Sequence, residues 1–439
     1  MSQRDAYANL LLPELLSQRG LTGRDAALAT ELTYGTLRGR GTYDAILEVC
    51  CDRDLGSLDP AVLEVLRLGV HQLLATRVQP HAAVATSVSL IRDVAGPRPT
   101  GLVNAVLRRV SARDMTAWLE IAAPDRAQDP VGHLAVTHSH PRWIVSAMAA
   151  ALGEDLAGRL TETEAVLAAD NGRPSVHVCA TPGLADRAEL VSAGCEPARW
   201  SEFGAYLPEG EPAALAAVAE GRAAVQDEAS QLAALAVARA GVGGADDRWL
   251  DLCAGPGGKA RLLAGLAGGT GARLLAAERR EHRARLVAQA TARTDAGAVV
   301  VADGRVPAWR LSAFSRVLAD VPCSGLGALR RRPEARWRRT EGSLAGLDVL
   351  QRELLRTALD SAGPGGVVGY VTCSPHLAET RDVVAAVLAE RPGSEVLDAP
   401  AILAEVPGLG CPEPYQRFAQ FWPHRHGTDA MFVALLRRG

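Results

Sequence analysis

Apolar residues recur three and four positions apart through most of the first 113 residues, which is the spacing of one face of an α-helix. Loops that carry Gly or Pro separate these segments, as at 20–23, 56–60 and 96–101. The pattern predicts helices over Ala8–Leu16, Ala26–Leu37, Tyr43–Cys50, Ala61–Leu74, Ala82–Val94 and Leu102–Val110. A linker rich in Pro, Asp and Gln follows near 123–130, so we expect residues 1–128 to form one all-α domain.

The pattern changes to mixed elements between residues 138 and 224. Pro141–Ala151 and Leu184–Ala193 have helical spacing, whereas Ser175–Cys179 alternates apolar and polar residues as a strand does. We therefore expect a small α+β domain over 138–224, which connects the two larger parts of the chain.

Short apolar runs and helical stretches alternate from residue 225 to residue 439. The predicted strands are Trp249–Cys253, Arg273–Glu278, Ala298–Ala302, Arg316–Asp320 and Val367–Thr372. The predicted helices are Lys259–Ala267, Arg280–Ala292, Leu344–Ala362 and Leu377–Glu390. This alternation is typical of a doubly wound, mostly parallel sheet with helices on both faces, that is, a Rossmann-like α/β domain. Ligands of such a sheet bind at the carboxyl ends of its strands.

Length and composition narrow the class of protein. A chain of 439 residues is too long for one compact core, and 48% hydrophobic with 22% charged residues is ordinary for globular domains. The first residues lack a basic stretch followed by an apolar one, and no run of about 18 apolar residues occurs, so we expect neither a signal peptide nor a membrane segment. Eight cysteines are too few for a disulfide scaffold, which favours a reducing cytoplasm.

The charged residues give one specific indication. A net charge of −3 does not by itself indicate nucleic-acid binding, although a basic face can be hidden in a neutral total. Of the 47 basic residues, only Lys259 is a lysine. Arg can replace Lys where only a positive charge is needed, but not where a compact ammonium group is required. Lys259 is therefore a candidate functional residue, with chance survival as the alternative.

A glycine-rich turn, Asp251–Lys259, follows the first predicted strand of the α/β domain and opens a helix. Its glycines allow a ligand to approach the backbone closely. Glu278 ends the next strand, where an acid can bind two ribose hydroxyls, and Asp303 follows the third strand, where it could accept from an adenine amino group. The turn contains Pro256 and lacks the spacing of dinucleotide sites, which favours an adenosyl ligand without a pyrophosphate. The alternative is that both acids are ordinary solvated strand ends.

Two cysteines lie in turns that follow the fourth and fifth strands. Cys323 stands in Asp320-Val-Pro-Cys-Ser-Gly-Leu-Gly327, and Cys373 in Val371-Thr-Cys-Ser-Pro375. Neighbouring parallel strands would bring both to one edge of the sheet. A single buried cysteine is usually structural, but two at adjacent turns indicate chemistry. The sequence lacks the ligand spacing of a closed zinc site and the Cys-x-x-Cys of a redox pair, so we expect no metal.

Three of these motifs together carry a resemblance to a known family. Asp-Leu-Cys-Ala-Gly-Pro-Gly-Gly-Lys, Asp-x-Pro-Cys-Ser-Gly-x-Gly and Thr-Cys-Ser closely resemble the Sun family of RNA cytosine-5 methyltransferases, over roughly residues 138–439. The resemblance also includes the segments His140–Trp143 and Gly427–Phe432. One departure is Glu278, where the family often has Asp. The helical front end resembles a NusB-type RNA-binding domain, on stretches such as Leu28–Leu37 and Gly101–Arg109, and the two-part arrangement resembles bacterial methyltransferases of 16S ribosomal RNA.

The resemblance implies a function and assigns roles. Carbon 5 of cytosine becomes nucleophilic only after a thiolate adds to carbon 6. The family makes Cys373 that nucleophile and Cys323 the residue that promotes its release. Asp320 would hydrogen-bond the polar edge of the base and help protonate the ring, and Lys259 would supply a positive field for the thiolate. The implied S-adenosyl-L-methionine site consists of Cys253, Ala254, Gly255, Pro256, Gly257, Gly258, Lys259, Glu278, Asp303 and Asp320.

The implied partner is 16S ribosomal RNA or an assembling small subunit, bound by a monomer. Alternatives are the same chemistry on tRNA or another RNA, and an RNA-binding assembly factor without activity. The tract Arg330–Arg339 holds six arginines and one tryptophan directly after the turn that carries Cys323. Charge runs are usually solvated, but this position favours a rim that contacts RNA phosphates and an unstacked base.

Overall fold

Helices make up the described part of the chain as far as Gly172, whereas the apolar spacing predicts an all-helical pattern only over about the first 113 residues. The computed structural model describes residues 7–439, and the helices of this part, α1 to α9, are Ala8–Gln18, Gly23–Cys50, Pro60–Ala75, Pro80–Ala95, Thr100–Val110, Met115–Ala122, Pro130–Thr137, Arg142–Leu152 and Thr161–Asn171. Their buried core includes Ile46, Leu66, Ile91, Val103 and Leu107. The prediction of an all-α front end is confirmed.

Helix α2 is continuous, although the pattern predicts a break between Leu37 and Tyr43. Its glycines provide space for neighbouring side chains and do not end the helix. A Cβ on Gly35 would lie 2.2 Å from the His71 ring, and one on Gly41 would lie 2.5 Å from the Trp337 ring. Close packing against these two rings therefore outweighs the low helix propensity of glycine.

A small antiparallel sheet opens the second part of the chain. Its strands β1 to β4 are Val176–Ala180, Glu196–Pro197, Gly204–Leu207 and Ala223–Val225, in the order β2-β3-β1-β4, with the short helices α10 (Arg187–Ser192) and α11 (Ala216–Ala219). Its first strand lies where the sequence predicts a strand, at Ser175–Cys179.

A larger sheet follows, with the strands β5 to β12 over Arg248–Asp251, Arg273–Glu278, Gly297–Val301, Phe314–Asp320, Ala362–Thr372, Glu395–Leu397, Ala419–Gln420 and Phe432–Arg437. The helices α12 to α19 are Glu228–Arg239, Gly258–Thr270, Glu281–Thr291, Ala335–Arg338, Leu347–Ser361, Arg381–Glu390, Ala399–Ile402 and Pro423–His426. The strand order is β10-β12-β9-β8-β5-β6-β7, and β11 also pairs with β12. The strands β9, β8, β5, β6 and β7 pair in parallel, whereas β12 pairs antiparallel with both β9 and β10. The predicted mostly parallel sheet is confirmed.

Alternate residues of the strands pack into two separate hydrophobic cores, one on each face of the sheet. On β9, Val367 and Val371 pack with α12 and α13 on one face, whereas Val368 and Tyr370 pack with α16 and α17 on the other. Because successive strand side chains point to opposite faces, continuous apolar runs are what a sheet covered on both faces requires. Among residues 7–439, the structure contains no helix with the length and apolar character of a membrane span.

Packing divides the chain into two units. The first contains the residues up to Gly172 together with Leu329–Arg339, and the second contains Arg173–Ala328 and Thr340–Gly439. Helices α8 and α9 thus group with the preceding helices, and the small sheet groups with the large one. The boundaries near 128, 138 and 224 stay predictions.

The arginine tract is an integral part of the first unit. Arg336, on α15, is completely buried and donates to the Asn171 side chain (2.7 Å) and to the backbone carbonyls of Asp170 (2.9 Å) and Ser139 (3.1 Å). Arg330 is also buried, whereas Arg332 is exposed. The predicted rim that contacts RNA is therefore wrong for Arg336 and Arg330, and so is the alternative of a solvated face, because both side chains are buried.

Candidate active site

The strand order sets the predicted site residues in a row along the carboxyl edge of the large sheet. Cys373 follows β9, Asp320 ends β8 and Cys323 lies just beyond it, the glycine-rich turn follows β5, Glu278 ends β6, and Asp303 follows β7. The chain adds β6 and β7 on one side of β5 and β8 on the other. The site therefore lies at the reversal of strand order, where open α/β sheets bind ligands.

Glycine is required at two positions of the turn after β5. Gly257, the N-cap residue directly before α13, has a φ of +116°, and a Cβ there would lie 2.7 Å from the Ala290 Cβ. A Cβ on Gly255 would lie 2.2 Å from Oε2 of Glu278. The absence of both side chains lets the turn pack against α14 and brings its backbone to the acid that ends β6.

Glu278 and Asp303 have different surroundings. Glu278 is buried, and its Oε1 accepts from the backbone N–H of Arg280 at 2.8 Å, while Arg283 Nε lies 3.7 Å from its Oε2. Asp303 accepts from the backbone N–H and Nε of Arg305, both at 3.0 Å, and from its Nη2 at 2.8 Å. The hydrogen bonds from the Arg305 side chain lower the pKa of Asp303 to about 2.

Lys259 and Asp320 form a partly buried ion pair between the start of α13 and the end of β8. Nζ of Lys259, in the first turn of α13, lies 2.8 Å from Oδ2 of Asp320. Burial alone would lower the pKa of Lys259, but the charge of Asp320 and the hydrogen bond to it outweigh burial and raise it. The ammonium group therefore stays charged in the site.

The two cysteines meet as the sheet register requires. Asp320 pairs with Val371 across β8 and β9, and Sγ of Cys323 lies 3.3 Å from Sγ of Cys373. The hydrogen bond from Cys323 lowers the pKa of Cys373 against burial and Asp320, and Lys259 lowers it further. The same hydrogen bond, together with burial, raises the pKa of Cys323. Cys373 is therefore the better thiolate of the pair.

A third cysteine of the site, Cys253, has the opposite character. Burial raises its pKa well above the ordinary value, and the carboxylates of Asp251, Asp320, Glu278 and Asp303 raise it further. Its thiol therefore stays protonated and is a poor nucleophile. Three of these four carboxylates, Asp320, Glu278 and Asp303, are acids that the sequence predicts for the site.

Asp251 is an acid of the site for which no role is predicted from the sequence. It is fully buried, and its Oδ2 has no hydrogen-bond partner among the described residues. Burial raises its pKa to about 7, and the charge of Asp320 contributes to the rise.

Glu379 was not predicted at all. It lies in the loop after β9, and its buried carboxylate contacts Ser324 and Ser374, the residues that directly follow the two cysteines. The repeated Cys-Ser dipeptide was the available signal for the two serines. Nothing in the sequence pattern marked Glu379, because its partners come from other turns.

Comparisons with known proteins find relatives along the whole chain. Residues 243–437 match the family described as 16S rRNA methyltransferase RsmB/F, and residues 1–112 match the NusB family. Rv1407 of Mycobacterium tuberculosis, whose name classes it provisionally as a methyltransferase, is 52% identical over all of this chain and 94% of that protein. The ribosomal RNA small subunit methyltransferase B of Pseudomonas putida is 32% identical over 98% of this chain and 94% of that protein.

Solved structures share the fold. PH0851 has a TM-score of 0.76 at 21% identity, covering 97% of this chain and 93% of that one. NSun6 from Pyrococcus horikoshii with SFG has a TM-score of 0.54 at 18% identity, covering 68% of this chain and 98% of that one.

Proposed function

Because this chain belongs to the 16S rRNA methyltransferase RsmB/F family, whose members depend on S-adenosylmethionine, we propose that it methylates carbon 5 of a cytidine in 16S ribosomal RNA through a covalent adduct with Cys373. The observation that carries the proposal is the pair of thiols at 3.3 Å, beside the ion pair of Lys259 and Asp320. An inactive RNA-binding factor would have no need of this arrangement.

The residues of the sheet edge fit the cofactor. The close approach of the Gly255 backbone to Glu278 forms a cradle that any side chain on Gly255 would fill. Glu278 would accept from the ribose hydroxyls, while the backbone of 253–259 and the side chain of Asp320 would line the rest of the site. A carboxylate has about four acceptor positions, and Arg305 takes three on Asp303, which leaves one for an adenine amino group.

The protein residues then act in a defined order. The Cys373 thiolate forms a bond to carbon 6 of cytosine, while Asp320 holds the polar edge of the base and helps protonate the ring. When bound, S-adenosylmethionine supplies an electrophilic methyl group. Cys323 promotes the elimination that follows methyl transfer. In it, the proton on carbon 5 leaves to solvent water, the bond from carbon 6 to Cys373 breaks and restores the thiolate, and the ring gives back the proton that Asp320 helped to place on it.

The two cysteines provide the test because their loss should have opposite effects. Cys373→Ala should abolish methylation and form no adduct. Cys323→Ala should stall after methyl transfer and remain joined to the RNA, giving a slowly migrating protein–RNA band on a denaturing gel. A band from Cys373→Ala and none from Cys323→Ala would mean that the roles are exchanged. Activity in both variants without any band would refute covalent catalysis by these residues.

The substrate is tested separately. Bisulfite sequencing of total RNA from a deletion strain should show one cytidine of 16S rRNA that loses its methyl group. Loss of a tRNA signal instead would move the same chemistry to another RNA, and an unchanged RNA pattern would favour the inactive assembly factor.

A further inference from the structure

The buried side chain of Glu379 joins the turns that carry the two thiols. It is 1% exposed. Its Oε1 accepts from the backbone N–H of Ser324 at 2.7 Å and from Nε2 of Gln351 at 3.2 Å. Its Oε2 accepts from the hydroxyls of Ser324 and Ser374, the latter at 2.7 Å. Gln351 also donates to the carbonyl of Pro322 at 2.9 Å, so hydrogen bonds fix both ends of the Pro322–Ser324 turn.

We propose that Glu379 is a positioning residue that holds Cys323 and Cys373 against each other and directs the shared proton of the pair to Cys323. This inference rests on the proposed covalent function. Catalysis of this kind needs one thiol ionised and the other protonated, within contact distance.

The positioning follows from chain geometry. Ser324 is the residue after Cys323, and Ser374 is the residue after Cys373, so one carboxylate fixes both backbones next to their thiols. A backbone hydrogen bond also joins the two turns, since the N–H of Gly327 donates to the carbonyl of Cys373 at 2.9 Å. Reacting groups need near-attack geometry, and a displacement of about 1 Å can cost roughly 100-fold in rate.

The charges around the pair decide which of the two thiols holds the shared proton. The negative charge of Glu379 adds to the hydrogen bond and burial that raise the pKa of Cys323. Cys373 instead faces Lys259, which lowers its pKa, and Asp320 and Asp429, which raise it. Glu379 thus opposes a thiolate on Cys323, and Lys259 favours one on Cys373.

The test combines two near-isosteric variants with a control. Glu379→Gln removes the charge and keeps the shape, whereas Ser374→Ala removes one anchor and keeps the charge. Glu390→Gln, which removes an exposed carboxylate paired with Arg356, is the control. Iodoacetamide labelling across pH, followed by mass spectrometry, reports which thiol is ionised. Steady-state kinetics on 16S rRNA report kcat and KM.

In the unaltered protein and in Glu390→Gln, Cys373 should be labelled at lower pH than Cys323. Glu379→Gln should reduce this preference about tenfold, and its kcat should fall roughly 100-fold with KM for RNA unchanged. Ser374→Ala should keep the preference but lose roughly tenfold in kcat. S-adenosylmethionine affinity, measured by calorimetry, should be the same in all four proteins.

Equal labelling of the two thiols in the unaltered protein would overturn the inference without any variant. Retention of both the preference and the kcat in Glu379→Gln would also overturn it. Labelling needs no RNA and therefore tests Glu379 independently of the substrate. If the unaltered protein shows the expected thiol preference but does not methylate 16S rRNA, the proposed substrate is wrong and the proposed role of Glu379 is retained.

Discussion

Replacing Arg336 by Ala tests whether the arginine tract stabilises the first unit. The guanidinium is 0% exposed, and burial lowers its pKa to about 10, yet it remains charged at neutral pH. Its loss would leave the carbonyls of Ser139 and Asp170 and the amide oxygen of Asn171 without their charged donor. At roughly 1–3 kcal/mol for each unsatisfied buried acceptor, with partial rescue by water entering the space, we expect a loss of roughly 3–5 kcal/mol.

Differential scanning calorimetry of the full chain measures this loss. For a unit of this size, the expected fall in the thermal midpoint of the first unit is roughly 10 °C. The matched control is Arg332→Ala, an exposed arginine of the same tract that lies 5.9 Å from the Tyr7 ring and should cost less than about 1 kcal/mol. A midpoint for Arg336→Ala within 2 °C (about 1 kcal/mol) of that control would refute the structural role of this network.

Two further predictions concern the large sheet. Gly257→Ala should destabilise the protein by roughly 2–4 kcal/mol and weaken S-adenosylmethionine binding in calorimetry, because residue 257 has a positive φ and its Cβ would lie 2.7 Å from Ala290. The control Gly269→Ala, which has open space around its Cβ site, should instead stabilise the protein by roughly 0.5–1 kcal/mol. Equal effects of the two substitutions would contradict the strain argument. Asp251 has a folded-state pKa of about 7, above its unfolded value, so the folded state binds more protons between these two values and loses stability as pH rises towards 7. Asp251→Asn should therefore raise the thermal midpoint at pH 8 more than at pH 5 without added cofactor, and the same increase at both pH values would show that Asp251 is not the titrating group.

The sequence determined the fold and the line of candidate residues, because both follow from local patterns. Continuous apolar runs predicted strands covered on both faces, and alternation with helices predicted a parallel sheet. The rule that ligands bind at the carboxyl ends then placed Glu278, Asp303, Cys323 and Cys373 on one edge. The meeting of the two cysteines needed only that the fourth and fifth strands be neighbours, which β8 and β9 are.

The tertiary structure decided what these residues contact. Arg336 has the sequence context of a solvated charge run, yet in the interior its Nη1 and Nη2 donate to partners 165 and more positions away. The break expected in α2 is absent because rings from other segments occupy the space beside its glycines. No sequence motif identifies Glu379, because its contacts are with two turns that only the folded sheet brings together. Hydropathy and motif spacing report which residues are apolar or chemically capable, but burial and hydrogen-bond partners depend on segments far apart in the chain, and only the folded structure brings those segments together.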